Sequence, residues 1–138
     1  MGGRTLILLD THVLVWLDEG ASALSAGARA QADQALQNEA LAVSTISFWE
    51  IAMLSKKARL GVRHPLRPWR RGLIDLGLRE LPLDGETAVA AGELDDLHGD
   101  PADRIIVATA LRHGARLMTA DRRLLDWPGP LERLDARA

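Results

Sequence analysis

Four apolar residues, Leu6 to Leu9, run straight into Asp10, Thr11 and His12. A short continuous apolar run of this kind predicts a strand buried on both faces. Thr11–Asp18 follows as a helix, with Val13, Leu14 and Leu17 at helical spacing and Gly20 as its stop. Ser25 caps a second helix through about Glu39, rich in Ala and Gln, with Leu36 turned inward. Ala40–Thr45 is the next strand. Ser47–Leu60 is a helix carrying Ile51, Met53 and Leu54, ended by Gly61. A basic stretch punctuated by Pro leads into a helix around Pro68–Leu76, and Leu78–Leu83 is a third strand. Asp84 caps a helix through about Leu97. His98-Gly99 breaks the chain, and Asp100-Pro101 opens the most apolar helix, which runs through Arg112 to a stop at Gly114. Ala115–Thr119 is a strand, Asp121–Leu125 a turn of helix, and Leu131–Leu134 an edge strand. Strands alternating with helices in one chain of 138 residues predict a single α/β domain built on a parallel sheet covered on both faces.

Four acids stand at the ends of these elements. Asp10 and Asp121 follow strands, where ligands bind in open α/β sheets. Glu50 and Asp103 lie early in helices. Each also reads as a capping group: Ser47-x-x-Glu50 has the form of a capping box, Asp100-Pro101-x-Asp103 is a good helix start, and Asp10 and Asp121 precede helices. Helical spacing weighs against capping alone. Glu50 shares a stripe with Met53 and Leu54, and Asp103 with Val107 and Ala110. An acid on a core-facing stripe is costly unless paired or bound to metal. Arg104 points about 100° away from Asp103 around the helix, so it is no partner there. Convergent carboxylates repel one another, and a hard divalent ion such as Mg²⁺ or Mn²⁺ offsets that repulsion.

Composition narrows the chemistry. With no cysteine, disulfides, zinc–thiolate sites, iron–sulfur clusters and a cysteine nucleophile are excluded. The four His are scattered, which argues against zinc. A net charge of −2 gives no global basic field for nucleic acid. No apolar run approaches membrane-spanning length and no signal-peptide pattern is present, so a cytoplasmic protein is expected.

At these residues the chain resembles the PIN-domain family, in its VapC-type toxin branch. The matching segments are Leu9–Trp16, Val43–Ala52, Leu81–Leu83, His98–Ala110 and Leu117–Asp121. They occur in family order across nearly the whole chain, with a core of about residues 4–127 within a domain of 1–138. A lone D-T-x-x-L is weak, but the set of five, with D-P-A-D-R-I-I-V-A-T-A among them, is specific. The resemblance implies a three-layer α/β/α sandwich with a mainly parallel central sheet. It also implies a Mg²⁺- or Mn²⁺-dependent endoribonuclease that acts as the toxin of a toxin–antitoxin pair. Such an enzyme hydrolyses RNA to leave a 5′-phosphate and a 3′-hydroxyl. The family's four acids fall on Asp10, Glu50, Asp103 and Asp121, both as catalytic residues and as metal ligands. Its small hydroxyl residue falls on Thr119, and an extra acid on Asp100, where a helix cap is as good a reading. Thr11 is a further accessory position. The partners implied are RNA, a small antitoxin and a second copy in a homodimer. The departure from relatives is Lys56–Leu60, which lacks a Gly common before its Arg-Leu.

Around this centre the expectations are less specific. Lys56, Lys57, Arg59, Arg63, Arg67, Arg70 and Arg71 form a stretch without an acid, suited to RNA phosphates, to an acidic antitoxin, or simply to solvent. Arg104 suits a phosphate or a surface ion pair. His12 is expected to be structural and His98 a loop residue. Trp16 and Trp49 are expected in the core, Trp69 and Trp127 beside Pro at the surface. Trp69 and Trp127 then join Val13, Leu14 and Leu17 in a dimer or antitoxin surface. Two rival readings remain: a non-catalytic PIN-fold binding or scaffold protein, and a Mg²⁺-binding phosphoacceptor receiver. The receiver lacks its adjacent acid pair and its late Lys, since no Lys follows Lys57. A D-x-D-x-T phosphotransferase fails because Thr11-His12-Val13 follows Asp10.

Overall fold

The computed structural model describes residues 5–56 and 65–138. The first strand, β1 (Ile7–Leu9), is central and flanked by β2 (Leu41–Ser44) and β4 (Arg116–Thr119). The outer strands are β3 (Arg79–Leu81) and β5 (Arg133–Asp135), giving the order β3-β2-β1-β4-β5 with every pairing parallel. The connection from β1 builds outward on one side through β2 and β3, and the chain then returns to β1's other side with β4. Strand order therefore reverses between β1 and β4, the point at which such sheets bind ligands.

Alternation along the strands divides the core in two. Ile7, Leu9, Leu41, Val43 and Met118 face one side, where α1 (Thr11–Glu19), α2 (Ala26–Gln37) and α4 (Leu66–Asp75) pack. Leu6, Leu8, Ala42, Leu81 and Leu117 face the other, covered by Ile106, Val107 and Ala110 of α6 (Pro101–His113). The helix α5 (Gly85–Glu93) packs on α6. Leu8, Leu9 and Leu117 are fully buried, each stabilising the fold by about 1.5–3 kcal/mol relative to exposure. This is the parallel α/β/α sandwich expected from the pattern. The edge strands β3 and β5 are less buried.

Helix ends follow local chemistry. Ser25 caps α2 and Asp84 caps α5 through their side chains. Gly20 and Gly114 end α1 and α6 at φ 66° and 60°, left-handed conformations in which other residues are strained. The helix α3 (Thr45–Lys56) begins two residues before Ser47, so the capping-box reading fails. Ser47 is inside the helix, and its hydroxyl is bonded to that of Thr11 at 2.8 Å instead. The buried stripe of α3 is Ser47 and Ile51; Glu50, Met53 and Leu54 flank it half-buried. The expected stop at Gly61 lies outside the described residues. The helix α5 ends at Glu93 rather than Leu97, and the edge strand begins at Arg133 rather than Leu131.

Candidate active site

Asp10 terminates β1 and caps α1 at once. Its Oδ1 accepts from the Thr11 N–H at 2.8 Å, and its Oδ2 accepts from the Thr119 hydroxyl at 2.7 Å. Because Leu9 is paired with Met118, the next residue on each strand carries one half of this contact. Thr119 Oγ1 also accepts from the Asp121 N–H at 3.0 Å. Asp121 caps the short helix α7 (Arg122–Leu125), accepting from the Arg123 N–H. On α6, Asp100 Oδ1 caps the helix by accepting from the Asp103 N–H, which puts Asp103 in the first turn at the positive end of the helix. Glu50 enters from α3. Asp10, Glu50, Asp100, Asp103 and Asp121 line one cleft of about 280 Å³, at the carboxyl ends of β1 and β4.

The electrostatics are those of crowded acids. Burial raises Asp10, opposed by its bonds to Thr119 and Thr11. Burial also raises Glu50, with Asp10 and Asp100 adding to the effect and Thr11 opposing it. Asp103 is pushed up to about 8, first by burial and then by the charges of Asp10, Asp100, Asp121 and Glu50. Burial acts to raise Asp121 too, but hydrogen bonds to Arg123 and its positive charge outweigh it and hold that carboxyl low. Arg123 leans over the cleft, with Nη2 3.0 Å from Asp121 Oδ2 and 3.5 Å from Asp103 Oδ2.

His98 is more than a loop residue. Its Nδ1 accepts from the Asp100 N–H at 3.3 Å, and its Nε2 lies 3.3 Å from Asp103 Oδ2. That buried nitrogen is close enough for an ion pair but is not aligned as a hydrogen bond. Ligand atoms of His98, Asp103 and Asp121 lie within 4.8 Å of one another. No spacing rule finds His98 among four scattered His; the only signal is its place beside the acid-rich helix start.

Several expectations are corrected. The Arg104 guanidinium meets neither a phosphate-binding surface nor an acid. It donates to the carbonyls of Ala91, Gly92, Leu94, Leu97 and His98, satisfying the open end of α5 and the loop beyond it. His12 is exposed and lines the cleft instead of serving the core. Three of the four Trp reverse their expected places. Trp49 is 54% exposed, whereas Trp69 and Trp127 are buried, donating to Asp18 Oδ2 and the Asp95 carbonyl. Trp16 is half-buried and lines the cleft. Val13 and Leu14 belong to the core, which removes them from any dimer surface. Lys56 is exposed, as are Arg67 and Arg71, while Arg70 pairs with Glu80. Lys57, Arg59 and Arg63 lie outside the described residues.

The cleft's carboxylates, with His98 beside Asp103 and Asp121, suit a divalent cation, and burial first, then mutual repulsion, raises Asp10, Glu50 and Asp103 without one. The residues present therefore fit a metal site. Fold and cleft together define an α/β domain with a carboxylate-lined site at its topological switch point. The chain belongs to the PIN-domain family, whose model matches residues 7–129. It is 38% identical over 122 residues to Ribonuclease VapC22 of Mycobacterium tuberculosis, covering 87% of this chain and 90% of that protein. Its fold is similar to DNA-bound VapBC from Salmonella typhimurium (TM-score 0.70, 18% identity, 96% of this chain and 98% of that one). It is also similar to a toxin–antitoxin complex from Klebsiella pneumoniae (TM-score 0.63, 23% identity, 94% and 97%). Among the described residues, no helix is long and apolar enough to cross a membrane.

Proposed function

We propose that this PIN-domain protein is a Mg²⁺- or Mn²⁺-dependent endoribonuclease and the toxin of a toxin–antitoxin pair. The observation that carries the reading is the convergence of Asp10, Glu50, Asp103 and Asp121, from four separate elements, on one cleft. Its similarity to a VapC ribonuclease supports RNA as the substrate. The fold it shares with VapBC complexes is in keeping with an antitoxin partner.

Asp10, Asp103 and Asp121 would hold the metal, with Glu50 completing the set from α3. When bound, the metal supplies an acidified water and offsets charge on the scissile phosphate. Thr119 and Thr11 fix the two oxygens of Asp10, so that carboxylate is oriented before substrate arrives. Asp100 holds the start of α6, which aims Asp103 into the cleft. Arg123, exposed at the cleft and paired with Asp121 and Asp103, would be available to a substrate phosphate there.

The test is hydrolysis of single-stranded RNA by the purified chain in Mg²⁺ or Mn²⁺, repeated with chelator and with Asp10→Asn or Asp103→Asn. Loss of cleavage under each change is expected. Cleavage indifferent to all of them would overturn the mechanism, and a protein that binds RNA without cutting it would make it a scaffold. Growth arrest on overexpression, relieved by co-expressing a small neighbouring gene, tests the toxin role.

A further inference from the structure

The cleft has a second wall that the acids do not explain. Trp16 and His12 stand four residues apart on α1 and both line the cleft, so they share one helix face. Trp16 packs partly on the core, while the Arg137 guanidinium lies over its ring, 5.4 Å from the centroid. Arg137 is exposed, and its backbone N–H is held by Asp135 Oδ1 at 2.9 Å. Among the described residues no carboxylate pairs with its guanidinium, whereas Arg123 is engaged by Asp121 and Asp103. The cleft thus carries a guanidinium stacked over an aromatic ring in the same cavity as five carboxylates.

We infer that Trp16 and Arg137 form a nucleobase-stacking subsite, which takes one unpaired base beside the phosphate held at the acids. This rests on the ribonuclease reading. Without metal, a strand approaching five carboxylates is repelled through its phosphates, so contacts set away from the acids add to its hold on the cleft. Single-stranded RNA supplies splayed bases that stack on aromatic rings and on Arg guanidinium planes. Every base has such a face, so the subsite selects unpaired over paired RNA rather than one sequence. The Arg137 charge lies on the same surface and counters the repulsion from the acidic wall.

The test uses the full chain and a short single-stranded RNA. Binding is followed by anisotropy in chelator, and KM and kcat in Mn²⁺. Trp16→Leu and Arg137→Ala are expected to raise Kd and KM about tenfold, with Trp16→Phe within about threefold. The loss falls on KM rather than kcat. An abasic residue moved along the substrate should reproduce the penalty at one or two positions beside the cut. It should add nothing further in Trp16→Leu. Unchanged KM in Arg137→Ala and Trp16→Leu, or an abasic penalty equal in wild type and Trp16→Leu, overturns the subsite while leaving the nuclease intact. A wild-type chain that neither binds nor cuts RNA overturns both. If Trp16→Leu fails to fold, the KM of Arg137→Ala and an abasic scan compared between wild type and Arg137→Ala decide instead: an unchanged KM, or an equal abasic penalty in both, overturns the subsite.

Discussion

The Thr119 hydroxyl donates to Asp10 Oδ2 at 2.7 Å across 109 positions of sequence, and both side chains are buried. The same oxygen accepts from the Asp121 N–H, so one hydroxyl ties the ends of β1 and β4 to both of their acids. Thr119→Val keeps the shape and removes both bonds. The expected cost is about 1–3 kcal/mol of stability, because a buried carboxyl and a backbone N–H lose their partner. Urea unfolding in chelator measures it. Thr119→Ser should recover most of it, and cleavage should follow the same order.

The crowded carboxyls make stability depend on pH in an unusual direction. Asp103 is pushed up to about 8, and Asp10 and Glu50 are raised as well. A carboxyl raised by folding binds its proton more tightly in the folded chain. Its contribution is complete below the ordinary carboxylate range and is lost as pH rises through the folded value. Asp121 is lowered and works the opposite way, losing its contribution as pH falls. That loss falls below the ordinary carboxylate range, outside the window in which Asp103 titrates. The metal-free Tm is therefore expected to fall between about pH 5 and about pH 8.5. Added Mn²⁺ should raise Tm most at the alkaline end, where protons no longer compete for the acids. A Tm flat with pH in chelator would contradict this.

Arg123 reaches two of the acids while remaining largely exposed. It should compete with a divalent cation for the same negative charge. Arg123→Ala is expected to tighten Mn²⁺ binding by about two- to fivefold in calorimetry without RNA, the scale of an exposed pair. Cleavage should nevertheless weaken, because a cation available to the substrate phosphate is gone. Unchanged Mn²⁺ affinity would show that the pair is electrostatically idle.

Arg104 joins α6 to the carbonyls that close α5 and the loop carrying His98. Arg104→Ala is expected to cost about 2 kcal/mol or more, since several charge-assisted bonds vanish together. Arg104→Lys should rescue little, because a single ammonium cannot span carbonyls that a planar fork reaches. Denaturant midpoints decide this, and chemical shifts of His98 should move in both variants.

The sequence by itself determined the order of the elements and several of their caps, though not every end: α3 begins before Ser47 and α5 stops at Glu93. Buried runs such as Leu6–Leu9, and caps such as Ser25, Asp84 and Asp100, act over a few residues, so they are legible from neighbours alone. It also singled out the acids, because a carboxylate on a core-facing stripe conflicts with its surroundings; of the two stripes, that of Asp103 is buried and that of Glu50 only half-buried. What the tertiary structure alone decided concerns direction and company. Only the return of the chain to β1 through β4 sets Asp121 and Thr119 beside Asp10. Trp49, Trp69 and Trp127 took the opposite environment from the one their neighbours suggested, since a ring's burial depends on the element packed against it. Ser47 turned from a cap to a partner of Thr11, and Arg104 from a surface cation to the closure of α5. Both follow from backbone groups and hydroxyls that distant segments bring within reach, which local pattern does not encode.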